Sequence, residues 1–186
     1  MGTRHLTIVK FGGEYKIAQY GQWDGYPEGQ GVTALEFIRK IVDSNLTNEF
    51  AYKVKNCRWI TEEEVAAIEE DRNWPHKHPE LSRDAGAEIL QMVMDSKNGL
   101  VLVNRIDFAA DSLFCEWAWL IDLDAWTFEA YKGFNQTRPL TEKDRFYFLV
   151  DKEECGYHCI VKVAEWSIDN LPSNEDFLNT FKEDEE

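Results

Sequence analysis

The sequence predicts an α+β fold in a single domain: an antiparallel β-sheet built from N-terminal and C-terminal hairpins, with about three helices inserted between them. Three observations predict it. The chain opens on alternating residues, His5-Leu6-Thr7-Ile8-Val9-Lys10, then a Gly12-Gly13 turn and a second run, Tyr15 to Tyr20, which together read as a β-hairpin. The middle of the chain carries helical periodicity and capping pairs. From Leu100 onward, apolar runs return between turn residues, the signature of further strands.

Each element follows in order. Thr33 with Glu36 has the spacing of a capping box, and Leu35, Ile38, Ile41 and Val42 fall on one helical face behind it. Asn45 to Asn56 is polar and shows no decisive period. A second capping box, Thr61 with Glu64, opens an acidic helix running to about Asp71. Pro75 and Pro79 make Asn73–Pro79 a loop. Ser82 can cap a third helix that buries Ala85, Ile89, Leu90 and Val93 and stops near Asn98-Gly99. The expected strands are Leu100–Ile106, Phe114–Ile121 and Thr127–Tyr131 about a turn at 122–125, and Arg145–Val150 and His158–Trp166 about a charged turn ending at Gly156. Residues 1–172 form the domain in this reading, and 173–186 an acidic C-terminal tail.

Composition excludes several functions. The 186 residues carry a formal charge of -15, with 44% hydrophobic and 13% aromatic residues. That is too much core material for a disordered acidic chain. The charge disfavours coating nucleic acid or an anionic membrane. No apolar run approaches the ~18 residues of a membrane span, and Met1–Leu6 lacks a signal-peptide core. A cytoplasmic setting with reduced cysteines is therefore expected for Cys57, Cys115, Cys155 and Cys159. The acidity is local: Thr61–Arg72 and Ser173–Glu186 each hold six acids and one base, whereas Met1–Gly31 is balanced.

The loop Gln19–Gly31 is the most informative stretch. It holds glycines at 21, 25, 29 and 31, together with Tyr20, Trp23 and Tyr26. Gly29-Gln30-Gly31 leads into a helix, where free amides and the helix dipole favour an anion. Arg4 would add a cation, Gln22 a polar contact, and Trp23 and Tyr26 stacking faces. Asp24 and Glu28 are the acid–base candidates. Neither phosphate-loop pattern, Gly-x-x-x-x-Gly-Lys-Ser/Thr or Gly-x-Gly-x-x-Gly, occurs.

Other groups carry weaker signals. Ser112 and Cys115 in Asp107–Glu116 are nucleophile types, but need a base such as His5, His76, His78 or His158 within reach. Cys155-x-x-His158-Cys159 and His76-x-His78 lack complete zinc pairs, so no metal site is assigned. The sequence points to no particular cofactor.

The segments Gly2-Thr3-Arg4-His5-Leu6 and Gln19-Tyr20-Gly21-Gln22-Trp23-Asp24-Gly25-Tyr26-Pro27-Glu28-Gly29-Gln30-Gly31 resemble a family of uncharacterised proteins encoded by fungi, bacteria and phages. The resemblance continues through Ser82–Ala87, Asp111–Trp117 and Tyr131–Phe134, and so covers most of the chain to about Phe148. It implies one natural domain and no particular chemistry.

Two functional expectations follow. One is a site at Gln19–Gly31 that binds or hydrolyses a small anionic, nucleotide-like ligand. The other is a noncatalytic interaction protein whose acidic helix 61–72 and C-terminal tail capture a protein partner.

Overall fold

The computed structural model describes residues 2–182. It is an α+β chain around a mostly antiparallel five-stranded sheet. The strands are β1 (His5–Phe11), β2 (Glu14–Gly21), β5 (Trp117–Asp122), β6 (Thr127–Lys132) and β7 (Val161–Ser167), after a separate short pair, β3 (Arg58–Trp59) and β4 (Val101–Leu102). The order across the sheet is β2-β1-β5-β6-β7.

The expectation of a purely antiparallel sheet needs one correction. β1 pairs with β5 in parallel, with His5 opposite Trp117 and Val9 opposite Ile121. A hairpin forces antiparallel pairing, but a long crossover leaves the direction free. The chain leaves β2 at Gly21, passes through the helical layer, and returns along the open side of β1.

β1 is buried on both faces because each face meets its own layer. Val9 joins Ile17, Trp119, Ile121 and Phe128 beneath the helices. Those helices are α1 (Val32–Asp43), α2 (Thr47–Lys55) and α5 (Ile89–Asp95), which bury Leu35, Ile38, Phe50, Val54, Leu90 and Val93. Leu6 and Ile8 face the other way, against Ala18, Leu120 and Tyr131. That side is roofed by the 3₁₀ turns Ile106–Ala110 and Tyr147–Lys152 with Phe146 and Ile160.

Several elements differ from expectation for identifiable reasons. The unassigned stretch 45–56 contains α2, whose polar surface hides a pair four residues apart, Phe50 and Val54, facing inward. Thr33 caps nothing. The chain is already helical from Pro27, where a π-helical turn, Pro27–Gly31, runs into α1, and the Thr33 hydroxyl donates to the Gly29 carbonyl at 3.1 Å. Ser82 caps no long helix either: its hydroxyl accepts from Asp84 N, and the helix starts later through a 3₁₀ turn at Gly86–Glu88.

Arg145–Val150 is not a strand. β7 already occupies the edge of β6, and Arg145 turns inward to Glu129 and Asp122. Of Leu100–Ile106 only Val101–Leu102 pairs, in parallel with Arg58–Trp59. The Thr61–Glu64 capping box does form, with both reciprocal bonds, at the start of α3 (Glu62–Glu69), which buries no residue. The proline loop 73–79 contains one short turn of helix, α4 (Trp74–Lys77).

Ser173–Glu186, expected as a weak amphipathic segment with an acidic tail, includes α6 (Asn174–Lys182), which buries Phe177 fully. The Phe177 ring packs 5.6 Å from Trp119 and 5.2 Å from Trp166. Of this segment, the acidic residues 183–186 lie outside the described residues. Among the described residues, no helix is long and apolar enough to cross a membrane.

Candidate functional site

The conspicuous loop turns out to be organised around a histidine. His5 is buried on β1, and neither ring nitrogen has a hydrogen-bond partner; the Thr7 hydroxyl, on the same sheet face, is also unpartnered. Three glycines make the space for the ring. A Cβ added at Gly21 would stand 2.0 Å from His5 Cε1, one at Gly25 2.9 Å from Nδ1, and one at Gly86 3.2 Å from Nε2. Real Cβ atoms do not approach other heavy atoms much inside ~3.4 Å, because interiors are already close-packed. Gly31 does the same for the indole of Trp119, 2.7 Å from where its Cβ would lie. These glycines are therefore gaps for large rings, a role that loop composition alone does not reveal.

Burial pushes the His5 imidazole down to about 4 from its ordinary 6.5; the nearby Thr3 carbonyl and Asp24 carboxylate pull the other way and lose. The sign of the stability effect follows. Between these two values the unfolded chain binds a proton that the folded chain refuses, so stability is complete above pH 6.5 and falls on acidification toward pH 4. The expected loss is about 3 kcal/mol over that interval, at about 1.4 kcal/mol per pH unit. Urea unfolding at pH 7.0, 5.5 and 4.5 checks this. A His5→Gln variant should show a flatter dependence, and a slope equal to the wild type's would contradict it.

Expected site residues are dispersed. The amides of Gly29, Gln30 and Gly31 are engaged by the carbonyls of Tyr26, Asp24 and Tyr26. They are not a free anion cradle, since the helix has begun upstream at Pro27. Gln30 uses its Oε1 to accept from Ala87 N at 2.7 Å. Asp24, at φ 55, accepts from the Tyr26 hydroxyl, and Trp23 donates to Asp84. Glu28 is exposed on the loop crown, and Arg4 lies over the Phe114 ring at 4.8 Å. Arg4, Asp24 and Glu28 do not line the clefts at Lys10–Arg145, Tyr20–Arg105 or Ile60–Leu81.

The Ser112 and Cys115 expectations also find no base. Both are buried; Ser112 Oγ accepts from Asn135 N, and burial pushes the Cys115 thiol well up, opposite to an activated nucleophile. His78 pairs with Glu80 and His158 with Glu153. Burial pushes the Cys159 thiol up to about 12, with Glu153 acting in the same direction. Among the described residues no three His, Cys, Asp or Glu side chains are grouped to hold a metal ion.

A cleft of about 660 Å³ does open at the root of the loop, over the free edge of β2. Backbone bonds build it. Arg105 N donates to the Ala18 carbonyl at 3.0 Å, and Gln22 N donates to the Arg83 carbonyl at 3.1 Å. The side-chain amide of Gln19 adds a bond to the Ser82 carbonyl at 3.0 Å. Two arginines are thus pinned on either side of Tyr20. The Tyr20 hydroxyl donates to Gln22 Oε1 at 2.7 Å, and its ring meets Phe108 edge-on at 5.1 Å.

Three cations, Arg83, Arg105 and Lys152, line this cleft with three acids, Asp107, Asp111 and Glu154. Arg83 and Arg105 have no ion-pair partner among the described residues, whereas Lys152 at the rim pairs with Asp107 at 2.6 Å. Asp111 and Glu154 complete the wall. The sequence signal for the cleft existed in part: Asp107–Glu116 stood out for its acids, and the loop for its aromatics. Nothing local in the sequence joined them or singled out Arg83 and Arg105.

Comparison with protein-family models, with curated proteins and with solved structures finds no match to this chain.

Proposed function

We propose that the protein binds a small anionic, nucleotide-like ligand in the cleft between Tyr20, Arg83, Arg105 and Phe108. The observation that carries this reading is a pair of arginines without ion-pair partners among the described residues, their backbones hydrogen-bonded on either side of an aromatic pair, in a chain of net charge -15. Guanidinium offers a planar fork of donors suited to phosphate. Tyr20 and Phe108 offer apolar ring surface for a base. Asp111 and Glu154 can accept hydrogen bonds from an exocyclic amino group. The volume is within the range of small-molecule sites, roughly 300–1,000 Å³.

The test is calorimetric titration with AMP, adenosine and inorganic phosphate. AMP should bind more tightly than either fragment. An Arg83→Ala/Arg105→Ala variant, altered only at exposed side chains, should lose at least about tenfold in affinity, the equivalent of about 1.4 kcal/mol. Equal affinity in the variant would overturn the assignment.

Hydrolysis is the stronger form of this reading. It requires acid–base roles for Asp24 and Glu28, two exposed carboxylates on the loop crown that do not line the cleft. Release of phosphate from AMP by the wild type, lost in Asp24→Asn with AMP affinity unchanged, would support it.

A second reading keeps the acidic interaction surface. What favours it is α3, which buries none of its residues and presents Glu62, Glu63 and Glu69 to solvent. Removal of Ser173–Glu186 does not test it, because that deletion also takes Phe177 from the core.

A further inference from the structure

A second, smaller cleft lies at the opposite end of the same sheet face, where β1 and β5 finish. It measures about 330 Å³, and its walls include Lys10, Lys143, Arg145 and Lys162 against a single acid, Asp144. Four cations around one cleft are unexpected in so acidic a chain. The neighbouring carboxylates, moreover, are already engaged. Asp144 accepts from Thr141 N and from Arg138. Asp122 takes the Asp124 and Ala125 amides and pairs with Arg145 at 2.8 Å. Glu129 takes Arg145 at 2.6 Å, the Tyr131 hydroxyl and the Thr127 hydroxyl.

Arg145 is held rigid by this arrangement, while Lys143 is exposed and has no ion-pair partner among the described residues. Lys10 is only loosely paired, 4.0 Å from Asp122, and Lys162 pairs with Glu165 at the surface. Buried Leu140, Phe146 and Ile160 also line it. The site thus offers ammonium groups around a fixed guanidinium, with the rings of Tyr15, Tyr131 and Phe146 also in its wall.

We propose that this cleft is a distinct binding site for a compact polyanion, a group bearing at least two closely spaced negative charges of the pyrophosphate or polycarboxylate type. Lysines supply point charges to such a group, and a guanidinium that is already oriented adds no ordering cost on binding. The site is separate from the nucleotide-like cleft, with which it shares no lining residue.

Titration with inorganic pyrophosphate and, separately, with citrate tests it, at about 20 mM and about 150 mM salt, since exposed charges are screened over roughly 8 Å at the higher strength. At least one anion should bind the wild type, more weakly at high salt. Lys143→Gln/Lys162→Gln should lose at least about tenfold in affinity, while Arg83→Ala/Arg105→Ala binds as the wild type. Preference for pyrophosphate or for citrate identifies the phosphate or carboxylate class. No binding of either anion, or loss in the arginine variant in place of the lysine variant, would overturn the proposal.

Discussion

Gly21→Ala is expected to destabilise the protein by about 3 kcal/mol or more, and His5→Ala is expected to restore much of that loss in the double variant. Overpacking a filled interior typically costs about 1–3 kcal/mol, and this contact is at the severe end. The new Cβ would fall 2.0 Å from Cε1 and 2.3 Å from Nε2 of His5, an impossible approach to a ring fixed on a central strand. Backbone strain is not the cause, because Gly21 is absent from the positive-φ positions. Removing the imidazole vacates the volume that the methyl group needs. Urea unfolding of the four proteins of the cycle measures the coupling. A coupling energy near zero would show that Gly21 serves some purpose other than making room for His5.

The second large effect is expected from Arg145→Met, at about 3–5 kcal/mol. Arg145 is the shared partner of Asp122 and Glu129, both nearly inaccessible to solvent. Burial alone would raise both carboxyls, but Arg145, assisted by the Ala125 amide at Asp122 and the Tyr131 hydroxyl at Glu129, holds them below the usual carboxylate range. Stability from these groups is present above the ordinary carboxylate pKa and is lost as pH falls through the folded value. In Arg145→Met the two acids are left buried without their cation. The loss should therefore shrink at low pH, where protonation neutralises them, and a triple variant Asp122→Asn/Glu129→Gln/Arg145→Met should recover stability relative to Arg145→Met at pH 7. A constant loss at pH 4 and pH 7 would contradict this account.

Legibility in the sequence followed the range of the interaction. The N-terminal hairpin was readable because alternation and the Gly12-Gly13 turn are local, and both glycines do adopt positive φ. The clamp on that turn was not readable: Gly12 N and Gly13 N both donate to Asp124, more than a hundred residues away. The Thr61–Glu64 box formed as read because nothing upstream competed with it. The equally good Thr33–Glu36 pattern failed because Pro27 had already started a helix. Arg145–Val150 has strand-like residues, but the sheet had no free edge for it, and edge availability is a property of the whole topology.

The candidate site shows the same division. The loop Gln19–Gly31 is conspicuous in composition, but that composition does not show that a Cβ at Gly21 or Gly25 would meet His5 and one at Gly31 would meet Trp119. Arg105 looks like an ordinary residue at a strand end, and His5 like one of four histidines that could serve as a base. Arg105 gained its meaning through a backbone bond to Ala18, and Arg83 through one to Gln22, neither of which leaves a mark on local composition. Much of the net acidity comes from the sequence runs 61–72 and 173–186, so global charge said little about the cleft.

The central claim is that paired guanidinium groups beside Tyr20 receive an anion. Chemical-shift mapping of the arginine side chains during AMP titration tests it most directly. The account predicts that the Arg83 and Arg105 Nε–Hε signals move with a common saturation curve while Arg58 and Arg138, paired elsewhere with Glu64 and Asp144, stay fixed. Saturable shifts confined to other residues, with Arg83 and Arg105 unmoved, would contradict it.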